Sequence, residues 1–241
     1  MRAMRNLTIC AVFLVSLARS DKPQIKRHLT KNGFHRDLVT HIEWNMKPFH
    51  GSRLDNCHLL MQETLPAGLY VDPYQLNSLL PFGGPQVLID QPVDIEAPEY
   101  KSSPLNIYVF ARLYPVKQSK GQHTADVTLP LHLRYHRPSS RPGQKYHRLT
   151  INNPVIFTNC SVHDSEGLSV SACDYLNSSV CWWHQHPVEL VSGAIKLSIP
   201  IGHQSHLTLV VIGTLSVTAA GCLFIMYTVI TKDLSTNKKT I

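Results

Sequence analysis

Two histidines and a cysteine late in the sequence have the residue types of a partial metal site. His184 and His186 are two residues apart, so both imidazoles lie on one face if the segment is extended, and Cys181 is close by. Imidazole nitrogen and thiolate sulfur are ligands that Zn²⁺ prefers. No second ligand pair follows at a standard spacing, so we expect surface histidines beside a disulfide and no metal site.

Asp94 and Glu96 are a second pair with chemical potential. Their spacing places both carboxylates on one face of an extended segment, where they could hold the divalent metal of a sugar-nucleotide enzyme. However, Pro92 and Pro98 mark a loop, and the chain has no G-x-S-x-G, H-E-x-x-H or Gly-rich phosphate motif. We therefore interpret the pair as solvated loop acids, and predict no catalytic residue and no cofactor.

A basic cluster lies between residues 134 and 148, flanked by Tyr135 and Tyr146 and broken by two prolines. It is compatible with a solvated hairpin turn, or with a contact to anionic headgroups or to an acidic loop of a partner. Its members are Arg134, His136, Arg137, Arg141, Lys145, His147 and Arg148.

The net charge of +7 over 241 residues belongs mainly to the two ends of the chain. Residues 21–206 hold 17 basic and 15 acidic residues, so the segment between the ends is close to neutral apart from its histidines. The hydrophobic fraction of 43% with only 16% charged residues excludes a disordered chain.

Residues 1–20 are typical of a secretory signal peptide. Arg2 and Arg5 precede an uncharged, mostly apolar run of twelve residues at 7–18, and Ala18 and Ser20 supply small residues at −3 and −1 of a cleavage site. The run is too short to span a bilayer comfortably.

Residues 207–231 predict a transmembrane helix, because 25 residues without a charge reach roughly 37 Å as a helix. Lys232 follows at once, so the positive-inside rule places the C-terminus in the cytosol and residues 21–206 in the lumen, where no nucleic acid is expected. Small residues near the middle of the span, among them Gly213, Ser216 and Ala220, form a candidate contact with a partner helix.

The cytosolic tail, residues 232–241, ends in KKTI, with Lys238 and Lys239 at the fourth and third positions from the end. This arrangement resembles the dilysine signal that returns membrane proteins to the endoplasmic reticulum. Such a signal is read by a receptor and does not anchor the protein.

The luminal segment has four cysteines, Cys57, Cys160, Cys173 and Cys181, which allow two disulfides in three connectivities. Asn159 and Asn177 begin Asn-X-Ser sequences and are predicted glycosylation acceptors.

Short apolar–polar alternations predict strands, most clearly around 126–135 and 105–114. Further strand-like runs occur at 34–44, 57–65, 146–158 and 188–199, and a proline roughly every 13 residues excludes long helices. We expect a mainly β luminal domain, an antiparallel sandwich of short strands, with 81–104 as a loop over a sheet edge.

Several strings resemble the PIG-X family of phosphatidylinositol-glycan biosynthesis class X proteins, and the likeness covers most of residues 33–200. The strings are GFHRDL (33–38), LPAGLYVDPYQL (65–76), DIEAPEY (94–100), LHLRYH (131–136) and NPVIF (153–157).

The resemblance implies a single-span glycoprotein of the endoplasmic reticulum that stabilises PIG-M, the polytopic catalytic subunit of GPI mannosyltransferase I. That enzyme transfers the first mannose from dolichol-phosphate-mannose to the glucosaminyl-phosphatidylinositol intermediate. No catalytic residue carries over from the family. The alternative is a cargo receptor or folding adaptor for luminal clients in the same compartment.

Overall fold

The computed structural model describes residues 22–45, 58–117, 119, 121–159 and 168–237, and this part of the chain is mainly β. The described strands are β1 (Gln24–Thr30), β2 (His35–Asn45), β3 (His58–Leu65), β4 (Leu69–Tyr70), β5 (Gln86–Ile89), β6 (Leu105–Arg112), β7 (Tyr114–Pro115), β8 (Gln122–Leu133), β9 (Tyr146–Ile151), β10 (Val155–Thr158), β11 (Leu168–Ala172), β12 (Val180–His186), β13 (Glu189–Leu190) and β14 (Ile195–Pro200). The two described α-helices are α1 (Pro73–Leu79) and α2 (Leu207–Asn237).

The strands form two six-stranded sheets and a two-stranded ribbon. The first sheet has the order β13-β1-β2-β8-β4, with β7 also paired to β8, and the second has the order β11-β12-β10-β3-β6-β5. The ribbon joins β9 to β14. All pairs are antiparallel except β1 with β13, so the predicted mainly β, antiparallel sandwich-like fold is confirmed.

The core lies between the two sheets, because every second side chain along a strand is apolar and faces the opposite sheet. In β2, Leu38 and Ile42 point inward, and in β3, Leu59 and Met61 do the same; each of these side chains is at most 1% exposed. Burying such a side chain contributes about 1.5–3 kcal/mol, so this shared face stabilises the sandwich. The ribbon closes one side, since Ile151 is also part of this core.

One ion pair crosses the core between the sheets. Arg27 of β1 pairs with Glu63 of β3, and its side chain also donates to Thr40 Oγ1 (3.3 Å) and to the carbonyl of Asn152 (2.8 Å). Glu63 is 2% exposed, and its second carboxylate oxygen has no hydrogen-bond partner. Burial raises the pKa of Glu63, while the adjacent Arg27 guanidinium lowers it.

The other face of the second sheet carries a smaller apolar cluster, formed by Leu60, Phe110, Phe157, Ala172 and Trp183. Trp183 is fully buried, and its indole N–H donates to the carbonyl of Ala172 (3.0 Å). The sheet is therefore buried on both faces where β11 and β12 curl over it.

The segment 81–104 differs from the expected loop. It contains β5, which pairs with β6 and forms the edge of the second sheet, followed by a 3₁₀ turn at Glu99–Lys101. The short helix α1 was also missed. Its signal is the Asp72-Pro73 pair, in which the Asp72 carboxylate accepts from the Tyr74 N–H (2.8 Å) and proline occupies the first turn.

The strand register defines two opposite ends of the sandwich. The helix-proximal end holds the connections at 31–34, 66–68, 98–104 and 134–145, together with 200–203, which leads into α2. The distal end holds the far ends of β3, β10 and β12, including the β11–β12 connection at 173–179.

Candidate interaction surface beside the C-terminal helix

The basic cluster lies at the helix-proximal end and is bonded to the segment that enters α2. The N–H of Ser139 donates to the carbonyl of Gly202 (2.9 Å), and the N–H of Gln204 donates to the carbonyl of Ser139 (3.0 Å). The N–H of Ile201 donates to the carbonyl of Lys145 (3.0 Å). Residues 134–148, which we call the basic turn, are thus fixed against the start of the C-terminal helix.

One interpretation of the sequence is that the basic turn joins the two strands of a hairpin, and the structure does not show this. The turn connects β8 of the first sheet to β9, which pairs with β14 and not with β8. Because β14 leads directly to α2, this pairing is what brings the turn to the helix.

The cationic side chains of the basic turn divide into exposed and buried sets. The exposed set is Arg137, Arg141, Lys145 and Arg148. Tyr135 and Tyr146 are also exposed, by 75% and 57%. The rings of His136 and His147 contact each other at 4.5 Å and are half-buried.

Arg134 differs from the rest of the cluster because it is 7% exposed. Its Nη1 donates to the carbonyls of Asp94 and Ala97, both at 2.6 Å, and its guanidinium lies 4.5 Å from the centre of the Tyr70 ring. Arg134 therefore anchors the 94–97 loop. This structural role differs from the sequence interpretation, in which Arg134 is one of the surface cations. A small cavity of about 180 Å³ adjoins it.

Asp94 and Glu96 do not form a paired-acid site. The Asp94 carboxylate accepts hydrogen bonds from the backbone N–H groups of Glu96 (3.0 Å) and Ala97 (3.1 Å), which closes a local turn. The Asp94 carboxylate therefore stabilises the turn of its own loop, which is a common role of aspartate in turns.

His184 and His186 lie on β12 with their rings 5.1 Å apart. His186 is more enclosed than expected, since its ring contacts the Trp44 ring at 4.5 Å and its Nε2 shares a hydrogen bond with the Thr158 hydroxyl (2.8 Å). Burial, and to a lesser extent His184, lower the pKa of His186 to about 4. Within the described residues, no three His, Cys, Asp or Glu side chains are placed to hold a metal ion.

Cys173 and Cys181 are bonded to each other across the β11–β12 connection. Cys57 and Cys160 lie outside the described residues.

The predicted glycosylation acceptors are at the distal end, away from α2. Asn177 is exposed in the β11–β12 connection and has a positive φ of 53°. Asn159 is half-buried, and its Oδ1, not its amide nitrogen, accepts from the His58 N–H (2.8 Å). Glycans at either asparagine would leave the helix-proximal end uncovered.

The helix α2 is apolar and unpacked. Residues Gln204–Lys232 have a mean hydropathy of 2.3, with 0% of the most apolar window buried, and could cross a membrane. Thr218 Oγ1 donates to the carbonyl of Thr214 (2.8 Å), so this hydroxyl is satisfied within the helix. At 100° per residue, Gly213, Ser216 and Ala220 share one face of the helix, and all three are exposed. Lys238 and Lys239, like residues 1–20, lie outside the described residues.

These features define a class: a small β-sandwich with one apolar C-terminal helix and no assembled catalytic centre within the described residues. A family model described as PIG-X / PBN1 matches residues 31–230, and the chain belongs to this family.

Curated relatives are similar to this chain over most of its length. The human protein named GPI alpha-1,4-mannosyltransferase I, stabilizing subunit, is 31% identical over 80% of this chain and 74% of its own length. The rat protein of the same name is 26% identical over 80% of this chain and 76% of its own length. The protein Pbn1 of Schizosaccharomyces pombe is 27% identical over 72% of this chain, which spans about half (49%) of that relative. No solved structure matches the chain significantly.

Proposed function

We propose that the chain is the non-catalytic, stabilising subunit of GPI mannosyltransferase I in the endoplasmic-reticulum membrane. Its partner is PIG-M, the polytopic catalytic subunit. The complex transfers the first mannose from dolichol-phosphate-mannose to the glucosaminyl-phosphatidylinositol intermediate of the GPI anchor. The observation that carries the proposal is family membership together with the similarity to the human protein named as a stabilizing subunit of GPI alpha-1,4-mannosyltransferase I.

The architecture supports a role in binding a larger membrane protein. A transferase with two lipid-linked substrates needs a cavity formed by several spans, and one apolar helix cannot enclose it. The helix and the helix-proximal end are adjacent, so one partner can contact both at once. The small-residue face at Gly213, Ser216 and Ala220 permits close helix packing in lipid.

The proposed topology is single-pass type I, with residues 21–206 in the lumen and the C-terminus in the cytosol. It rests on the signal-like N-terminus, on Lys232 after the apolar helix, and on Lys238 and Lys239 as a retrieval signal. Glycans at Asn159 and Asn177 follow from a luminal domain. Glycosidase digestion of the wild type and of the Asn→Gln variants should show two occupied acceptors; an unglycosylated chain would contradict the orientation.

Affinity capture from membranes in mild detergent tests the assignment. A stabilising subunit should recover PIG-M in stoichiometric amount. Recovery of many substoichiometric luminal clients without PIG-M would instead identify a cargo receptor or folding adaptor. The Asp94→Ala/Glu96→Ala variant is a control against a luminal enzyme, and it should restore surface GPI-anchored proteins to cells lacking the chain.

A further inference from the structure

We infer that the basic turn lies on the luminal surface of the membrane and contacts the phosphate groups of anionic phospholipid headgroups. This inference rests on the proposed topology, in which α2 spans the bilayer, but not on the assignment to a mannosyltransferase complex. The interacting side chains are those of Arg137, Arg141 and Lys145, with Tyr135 and Tyr146 beside them.

The position of the turn is the first argument. Its backbone is hydrogen-bonded to residues 201, 202 and 204, and the helix that could cross a membrane begins at Gln204. A segment bonded to the first residue of a span cannot lie far from the bilayer surface. The attraction between the exposed cations and the headgroup phosphates then acts within the Debye length, about 8 Å at physiological ionic strength, and high salt removes it.

The charge of the surrounding chain is the second argument. The sequence has no Asp or Glu between Asp126 and Asp164, and none between Glu189 and Asp233. Both strands of the ribbon and the whole basic turn fall within these two intervals. The 94–101 loop also brings acids to this end: the Asp94 carboxylate is bonded to its own backbone, and Glu99, whose N–H donates to the carbonyl of Tyr135 (3.0 Å), faces His136.

The aromatic residues are the third argument. Tyr135 and Tyr146 flank the exposed cations and are themselves exposed. Tyrosine is enriched at membrane–water interfaces, where its ring is buried at headgroup level and its hydroxyl remains hydrated. An acidic loop of a protein partner would match the cations but would not require this arrangement beside the span, so the lipid surface is the favoured occupant.

Hydrogen exchange of the full-length chain in lipid nanodiscs tests the inference. Discs of phosphatidylcholine are compared with discs that also contain phosphatidylinositol, and exchange is followed in peptides covering 136–146. We expect exchange there to be about tenfold slower in the anionic discs, with the difference lost at high salt. Peptides of the distal end, around 173–180, should exchange equally in both.

Two charge-matched variants complete the experiment. In Arg137→Gln/Arg141→Gln/Lys145→Gln the lipid-dependent protection should disappear. In the control Lys26→Gln/Arg112→Gln/Lys117→Gln, which neutralises three exposed cations elsewhere, it should remain. An unchanged melting temperature shows that each variant is folded.

Equal exchange of 136–146 in both kinds of disc would overturn the inference. So would protection that appears only when the catalytic subunit is added, because that result identifies a protein contact.

Discussion

Arg27 and Glu63 are charged residues that meet inside the sandwich, and each depends on the other for compensation of its buried charge. Glu63→Ala leaves the Arg27 guanidinium buried without its carboxylate, so we predict a loss of about 3–5 kcal/mol in the free energy of unfolding. Denaturant unfolding of the detergent-solubilised chain, followed by the fluorescence of buried Trp44 and Trp183, measures it.

The double variant Arg27→Met/Glu63→Leu is the matched control. It removes both charges, and its free energy of unfolding should be much closer to that of the wild type than the value for Glu63→Ala, since apolar residues of similar size can replace a buried pair. Equal stability of Glu63→Ala and wild type would show that the pair is not buried in solution.

His186 gives the domain a pH-dependent stability. Its pKa in the fold, about 4, lies below the usual 6.5, so the unfolded chain takes up the proton first. The contribution of neutral His186 to the free energy of unfolding is complete above pH 6.5 and is lost as the pH falls toward 4.

We therefore predict that His186→Gln, whose amide can still hydrogen-bond to the Thr158 hydroxyl, flattens the acid side of a melting-temperature profile between pH 7 and 4. His28→Gln, at an exposed position of β1, is the control and should leave the profile unchanged. If the melting temperature of His186→Gln fell as steeply in acid as that of the wild type, other groups would be responsible for the acid destabilisation. The His41–Asp126 contact opposes the effect, because the Asp126 hydrogen bond raises the pKa of His41.

At the scale of elements, the register between β3 and β10 supports a prediction of which cysteines form the second disulfide. The His58 N–H donates to Asn159 Oδ1 (2.8 Å), and the Asn159 N–H donates to the carbonyl of His58 (3.3 Å). These residues immediately adjoin Cys57 and Cys160 in sequence. With Cys173 bonded to Cys181, Cys57 and Cys160 are the two cysteines of residues 21–206 that are left to pair with each other.

We predict that peptide mapping without reduction recovers Cys57 linked to Cys160. Cys222 is already a free thiol, so Cys57→Ser should add one further maleimide-reactive thiol, at Cys160, and lower stability by about 2–5 kcal/mol. Recovery of Cys57 linked to Cys173 or Cys181 would contradict the prediction, and maleimide labelling of Cys57 and Cys160 in the wild type would do so as well.

The helix α2 carries a prediction about partner packing. Gly213→Leu/Ser216→Leu/Ala220→Leu places bulk on one face and should reduce co-purified PIG-M by about fivefold or more, because close helix approach is lost. The control Thr214→Leu/Thr218→Leu/Cys222→Leu adds the same residues to the opposite face and should retain the partner. Equal recovery with both variants would place the contact outside this face.

Elements with strong local patterns could be predicted from the sequence. The alternation around 126–135 and 105–114 identified β8 and β6, and the long apolar run identified α2 as a helix. The alternation could not show that β9 leaves β8 to pair with β14, because that choice depends on residues about 50 positions later. The burial of Arg134 was hidden for the same reason, since its carbonyl partners lie 37 and 40 residues earlier.

At the scale of the whole molecule, the two ends of the sandwich are different surfaces. The distal end has the Cys173–Cys181 disulfide and both predicted glycan acceptors, whereas the helix-proximal end has the basic turn and the entry to α2. This polarity leaves one end for contacts at the membrane. It is compatible with a subunit that stabilises its partner by span and luminal face together.

The half-life of PIG-M tests the central claim most directly. Protein synthesis is blocked in cells that lack the chain and in the same cells after its return, and the decay of PIG-M is followed. A stabilising subunit predicts rapid loss of PIG-M without the chain and restoration of its lifetime by the wild-type chain. An equal half-life of PIG-M in both cell lines, with full transfer of the first mannose, would contradict the account.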